Sequence, residues 1–412
     1  MILEPDECAL NFFLHLGYFP GYGETVKLDY SRIDRNAYKD HSRDDLLKEG
    51  YRAFMDTVSR EFDSNARNIL PLSGGMDSRA ILAGLLEMTD AGNIETYTFG
   101  TPGTYDYDLG NRVAEFAGTN HTKMPLTGLD WHMDDMLELA RRFNGQTFLF
   151  HHAPLSQLRR FEDGVTWSGY IGDAVTGGHL KDTPAASLND AKARYLKKRA
   201  EIKSIDIVNH PVKDFAKELG GEDVPESLTH DERVLFAEVG SITAPHVLMT
   251  GFEYKTPMIN SPFFDFFMSI PDTHRKGQSL FLEMIIQRWP GLFGLPSKTN
   301  FGLTPGHGPL SVFIRRARNK LWNIGRQNLR MFNWPPLPMT NFFDFDLEIR
   351  QNKSLRDLVR QNLADLDERR AVDWIRAEEI FERHMKRKGN YGDALKILTS
   401  LEINLKIREA GE

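Results

Sequence analysis

The stretch that decides the reading is residues 69–86, ILPLSGGMDSRAILAGLL. An apolar run ends at Leu72, a glycine pair flanked by serine follows, and an acid leads into residues at helical spacing. That order predicts a strand at Ile69–Leu72, a tight bend, and a helix from about Asp77 to Glu87. A strand that turns sharply into a helix makes an anion site. The first helical N–H groups have no internal partner, and the helix dipole adds positive potential there. Gly74 and Gly75 let the backbone pass close to a ligand, with positive φ open to them. The hydroxyls of Ser73 and Ser78 can donate to phosphate oxygens. A carboxylate beside an anion makes sense if it holds a cation, which marks Asp77 as a Mg²⁺ ligand. The same residues also suit a plain strand–helix turn with a capping side chain. The loop lacks the Gly-Lys-Ser/Thr ending of a Walker A motif, and its glycines lack the spacing of a dinucleotide-binding fingerprint.

Outward from the bend, residues 42–62 carry Leu46, Leu47, Tyr51, Phe54, Val58 and Phe62 at helical spacing, with Ser42 or Asp44 as N-cap. A second strand is expected at Ile94–Phe99, then a helix around Tyr107–Phe116 and the fragment GTNHTKMPL. Helices follow at about Trp131–Arg142 and in PLSQLRRF, and GVTWSGYIGD reads as a strand emptying into a Gly-rich turn. Strands alternating with helices predict an α/β fold with a parallel sheet. Residues 1–45 form an N-terminal lead-in, 46–180 the α/β core, 181–230 a polar insert of surface helices or mobile chain, and 231–412 a mainly helical remainder. The last is interrupted by GLPSKTNFGLTPGHGPL.

The chain has 412 residues, long enough for two lobes or one large domain with an extension. Its formal net charge of −7 argues against a nucleic-acid partner held by bulk charge. The single cysteine, Cys8, allows neither an internal disulfide nor a cysteine metal cluster, and points to a reducing compartment. The N-terminus has early acids and no basic signal-peptide region. No apolar run reaches the roughly 18–20 residues that span a bilayer. The expectation is a cytoplasmic protein with neither nucleic acid nor membrane as partner.

SGGMDS resembles the pyrophosphate-binding loop of the N-type ATP pyrophosphatases, and within them the synthetase domain of asparagine synthetase and its relatives, β-lactam and carbapenam synthetase. Further segments match in order. VAEFAGTNH (113–121) is similar to the family's segment ending Gly-Thr-x-His, although Gly118 also serves as an ordinary helix terminator and His121 is assigned no chemistry. SGYIGDAVTGGH (168–179) resembles its Ser-Gly-Glu-Gly-x-Asp-Glu…Gly-Gly loop, GFEYKTPMINSPFFD (251–265) its Gly-x-Glu-x-Arg-x-Pro-Phe-Leu-Asp segment, and LPSKTNFG (295–302) its lysine loop. The resemblance implies a PP-loop α/β fold and ATP with Mg²⁺ as cofactors. Asp77 and Asp173 would share the metal, and Leu72, Ser73, Gly74, Gly75, Ser78, Phe99 and Gly169 would line the nucleotide site. Lys298 would neutralise phosphate charge. The implied reaction is adenylation of a carboxylate, aspartate or a related acid, and capture by ammonia or another amine to give an amide, AMP and pyrophosphate.

Three departures shape that expectation. Position 2 is Ile, Cys8 is internal, and about 70 residues precede the loop, so the family's N-terminal glutaminase is not expected. Ammonia would be free or supplied by a separate glutaminase subunit. Tyr170 stands where asparagine synthetases carry Glu. β-Lactam and carbapenam synthetases also have Tyr there, paired with a Glu matching Glu253. Tyr170 and Glu253 then form a dyad for deprotonating an amine, or else a packed Tyr and a structural Glu. Gln278 falls where relatives carry Lys, with Lys276 nearby, and the guanidinium of Arg79 faces either pocket or solvent. The alternatives are therefore a cyclase closing a β-lactam or lasso-type peptide ring, and a non-catalytic nucleotide-binding homologue. A homodimer is compatible with all three.

Overall fold

The computed structural model describes residues 5–23, 27–240, 249–305, 307–328 and 335–411. Ile2, on which the glutaminase comparison turned, lies outside them. Five parallel strands form one sheet: β1 (Asn68–Pro71), β2 (Ile94–Gly100), β3 (Asn120–Pro125), β4 (Val165–Trp167) and β5 (Glu253–Lys255), in the order β3-β2-β1-β4-β5. Asn68 pairs in register with Ile94 on one side and Val165 on the other. The order reverses direction between β1 and β4, which makes their C-terminal ends the switch point where open α/β sheets bind ligands.

Strand alternation divides the core into two layers. Leu70, Leu72, Ile94 and Trp167 join one apolar cluster. It includes α2 (Arg43–Glu61), α3 (Asp77–Met88) and the helices Phe263–Ser269 and Ser279–Arg288. Ile69, Tyr97 and Met124 face a second cluster built from α1 (Glu7–Leu16), α5 (Met133–Arg142) and the C-terminal helices. The helix Gly392–Glu409 is buried almost all round, and several of its polar residues find partners inside. Asn404 donates to the Thr147 carbonyl, Ser400 accepts from the Leu149 N–H, and the Glu402 carboxylate takes the Arg369 guanidinium.

The central helices sit close to their expected positions. Ser42 is the N-cap of α2, accepting from the Asp45 N–H, and α4 (Tyr105–Ala117) ends on Gly118 with φ +73. Two strands were not anticipated. β3 comes from the fragment NHTKMP, whose polar residues hide the alternation, and β5 is three residues with only Tyr254 facing the cavity. The polar insert is ordered: Leu188–Arg199 is a helix capped by Ser187, and Tyr195, Leu196 and Phe215 are buried.

Candidate active site

The site starts at the bend after β1. Ser73 closes the loop on itself: its N–H donates to Ser78 Oγ at 3.3 Å, and its own Oγ accepts from the Gly75 N–H at 3.2 Å. Neither Gly74 nor Gly75 has positive φ. Gly74 is needed for space instead, because a Cβ there would lie 2.4 Å from the Tyr105 carbonyl oxygen at the start of α4. The expectation of left-handed glycines is thus replaced by one of close packing, and the Gly75 amide is already engaged by Ser73. Met76 caps α3 without a side-chain hydrogen bond, which leaves the helix N-terminus facing the cavity with its dipole available.

The loop after β4 lies directly on this N-terminus. A Cβ on Gly169 would meet the Asp77 carbonyl carbon at 2.8 Å, and one on Gly172 would meet the Asp77 carboxyl carbon at 3.0 Å. Between them Ile171 holds φ +62, an outlier for a β-branched side chain, at the place where the family pattern carries Gly. Its side chain is buried in the core. The result brings the two acids together: the Asp173 N–H donates to Asp77 Oδ2 at 3.2 Å. Burial, and then the neighbouring Asp173 carboxylate, push the Asp77 carboxyl well above the usual range. For Asp173 burial also acts upward, but the His179 imidazole, 3.0 Å from Oδ2, the Ala174 N–H and the Arg199 charge together bring the net shift downward.

Two carboxylates crowded at one spot, one of them driven toward its neutral form, fit a divalent cation. Among the described residues no set of three or more His, Cys, Asp and Glu side chains is placed to hold a metal; of the two acids His179 contacts Asp173 alone. A carboxylate pair is the donor set Mg²⁺ uses when substrate phosphates and water complete its shell.

Lys298 arrives from the loop before the helix Pro309–Asn328. Its N–H donates to the Gly74 carbonyl at 2.8 Å, and its ammonium rests on Asp106 Oδ2 at 2.5 Å and on the Asn341 side-chain oxygen. Arg79 faces neither pocket nor solvent. It is fully buried and donates to the carbonyls of Leu292, Leu295 and Pro296 at 3.3, 3.3 and 2.9 Å, anchoring the segment that delivers Lys298. Burial lowers its pKa to about 10. Gln278 donates to Thr176 Oγ1, so it braces the second loop.

One cavity of about 550 Å³ holds most of the expected residues: Leu72, Ser73, Gly75, Asp77, Ser78, Phe99, Gly169, Tyr170, Asp173 and Lys298. Gly74 supports it from behind. Glu253 does not reach it. On β5 the side chains alternate, so Tyr254 lines the cavity while Glu253 is 63% exposed and paired with Lys255. The Tyr170–Glu253 dyad is therefore not assembled. Tyr170 itself lines the wall, its pKa raised by burial.

Sequence reading missed the rest of the lining. Phe342 stacks on Phe99 with centroids 5.2 Å apart, and Asn341 and Asp106 flank Lys298. Lys198 and Arg199 form a cationic wall at the end of the insert helix, and His179 stands beside Asp173. The basic ending LKKR was visible, but nothing local pointed it at a cavity.

A doubly wound sheet with a self-closed Ser-Gly-Gly loop, an uncapped helix N-terminus and paired acids at its switch point defines a nucleotide-binding α/β protein of the pyrophosphate-loop kind. The asparagine synthase family matches residues 50–279, more than half of the chain, and the chain belongs to that family of ATP-dependent, amide-forming ligases. No curated protein matches it.

Proposed function

We propose that this protein activates a carboxylic acid as its acyl-adenylate and passes the acyl group to an amine, giving an amide, AMP and pyrophosphate. The observation that carries the reading is the convergence of Asp77, Asp173 and Lys298 on the cavity beside the α3 N-terminus. The reaction must bring a carboxylate against the α-phosphate. Two unit charges ~4 Å apart repel by about 4 kcal/mol at an effective dielectric near 20. Mg²⁺ held by Asp77 and Asp173 would neutralise and orient phosphate oxygens.

The chain's own groups divide the remaining work. The Phe99–Phe342 stack and Leu72 offer an apolar slot for adenine. The α3 N-terminus and Ser78 face the departing pyrophosphate, and Lys298 can leave Asp106 to follow its charge. Lys198 and Arg199 line a wall of the cavity beside the Asp173 loop, with Lys198 Nζ 3.4 Å from His179 Nδ1 and Arg199 over the Tyr195 ring. Neither forms an ion pair with a carboxylate among the described residues, so both can orient the acid substrate. Aspartate, carrying two carboxylates, fits that wall. The amine would be ammonia, free or handed over by a glutaminase, or a small-molecule or peptide amine. With Glu253 facing away, nothing in the site favours ring closure over intermolecular capture.

ATP–pyrophosphate exchange with a panel of acids, aspartate first, tests the reading. Exchange dependent on one acid supports it. ATP binding with no exchange for any acid supports a nucleotide-sensing protein instead.

A further inference from the structure

The helix Pro309–Asn328 carries a feature that the cavity does not explain. Leu310, Phe313, Ile314, Leu321 and Ile324 are 71, 67, 59, 68 and 45% exposed. Only Phe116 and Met339 are comparable among the described residues. At about 100° per residue these five and Ala317 fall in a stripe about 100° wide. Arg318 and Lys320 flank the stripe, one on each side, with Arg315 and Arg316 behind them. The helix contains no acidic residue. Arg326 points the other way and is buried against Asp344, which fixes the helix to the body of the protein with its stripe outward.

We infer that this helix docks the protein on an anionic lipid surface, lying in the interface plane with its apolar stripe at the acyl boundary and its basic flanks on the headgroups. Charge and area both select that partner. Two copies of a helix with four cations that form no ion pair among the described residues, and with no acid, would repel each other. The stripe is also too small for a protein interface. From Leu310 to Ile324 it runs about 21 Å on a cylinder about 10 Å wide, a single helix face set against the roughly 20–30 residues a side of a stable complex. A bilayer needs no shape complementarity, and Arg and Lys stems can extend from the apolar boundary to the phosphates. The expectation of no membrane partner rested on the absence of a spanning segment. No helix among the described residues is long and apolar enough to cross a membrane, and an interfacial helix needs no such length.

The test is co-sedimentation of the full chain with vesicles of phosphatidylcholine, with and without phosphatidylglycerol. Binding is expected only when phosphatidylglycerol is present, weakening about fivefold for each charge removed in an Arg316→Gln, Arg318→Gln, Lys320→Gln series and weakening with added salt. Phe313→Ser with Leu321→Ser should abolish it while leaving the thermal melt unchanged, since both side chains are exposed. The inference is overturned if the wild-type chain ignores phosphatidylglycerol vesicles, or if the Phe313→Ser/Leu321→Ser variant binds them as well as wild type. It is equally overturned if the wild type is a dimer in solution that these substitutions dissociate, without any lipid binding.

Discussion

The two walls of the cavity are built in opposite ways. The nucleotide wall is local: Leu72 to Asp77 and Gly169 to Asp173 are short loops at adjacent strand ends, fixed by main-chain contacts and by glycines that admit no side chain. The other wall is assembled from distant chain, with Lys198 and Arg199 from the insert and Tyr254 from β5. A local wall whose geometry is set by the sheet suits chemistry that every adenylating reaction needs. A wall carried by an insert can change without disturbing the sheet, and it is where choice of substrate can reside.

The largest effect should come from the nucleotide wall. Lys298→Ala is expected to cut the maximal exchange rate per folded molecule by about 10²–10³-fold. A loss below tenfold, seen in steady-state exchange kinetics, would mean that phosphate charge is met elsewhere.

Next comes Arg79, which touches no ligand but holds the Lys298 segment. Arg79→Met strips a donor from three buried carbonyls and should cost about 1–3 kcal/mol of stability. It should also lower the exchange rate more than it changes the KM for the acid, with Arg79→Lys recovering part of both. Equal activity per folded molecule in Arg79→Met would reduce Arg79 to a packing role.

Arg199→Ala should raise the KM for the acid about tenfold and leave the KM for ATP where it was. If the KM for ATP moves instead, the division between the walls fails.

The last effect is on pH stability and lies outside both walls. His384 is fully buried in the C-terminal layer, where its Nδ1 accepts the Tyr391 N–H. Burial lowers its pKa from 6.5 to about 3. In that window the unfolded chain binds the extra proton. This contribution is therefore complete above pH 6.5 and is lost as pH falls toward 3. His384→Gln should flatten the melting temperature against pH over that range, and an unchanged slope would assign acid sensitivity to other groups.

The same contrast explains what could be read from the sequence. The bend, the parallel sheet and the pairing of Asp77 with Asp173 were legible because each depends on a few consecutive residues and on the rule that parallel strand ends meet at one edge. Glu253 was misplaced because its neighbours gave no sign of the three-residue strand that turns it outward. β3 was hidden because its exposed face is polar and its inner face is short. Arg79 was invisible as an anchor, since its carbonyl partners lie more than two hundred residues away. Lys198, Arg199, Asn341 and Phe342 reach the cavity only through tertiary packing, which no local pattern encodes.

The central claim is that Asp77 and Asp173 share one divalent ion beside the loop that grips pyrophosphate. Calorimetric titration of pyrophosphate into the wild type, Asp77→Asn and Asp173→Asn, each with and without Mg²⁺, addresses it directly. Wild type should bind only when Mg²⁺ is present, and both variants should lose that Mg²⁺-dependent binding. Undiminished Mg²⁺-dependent binding in either variant would contradict a shared ion.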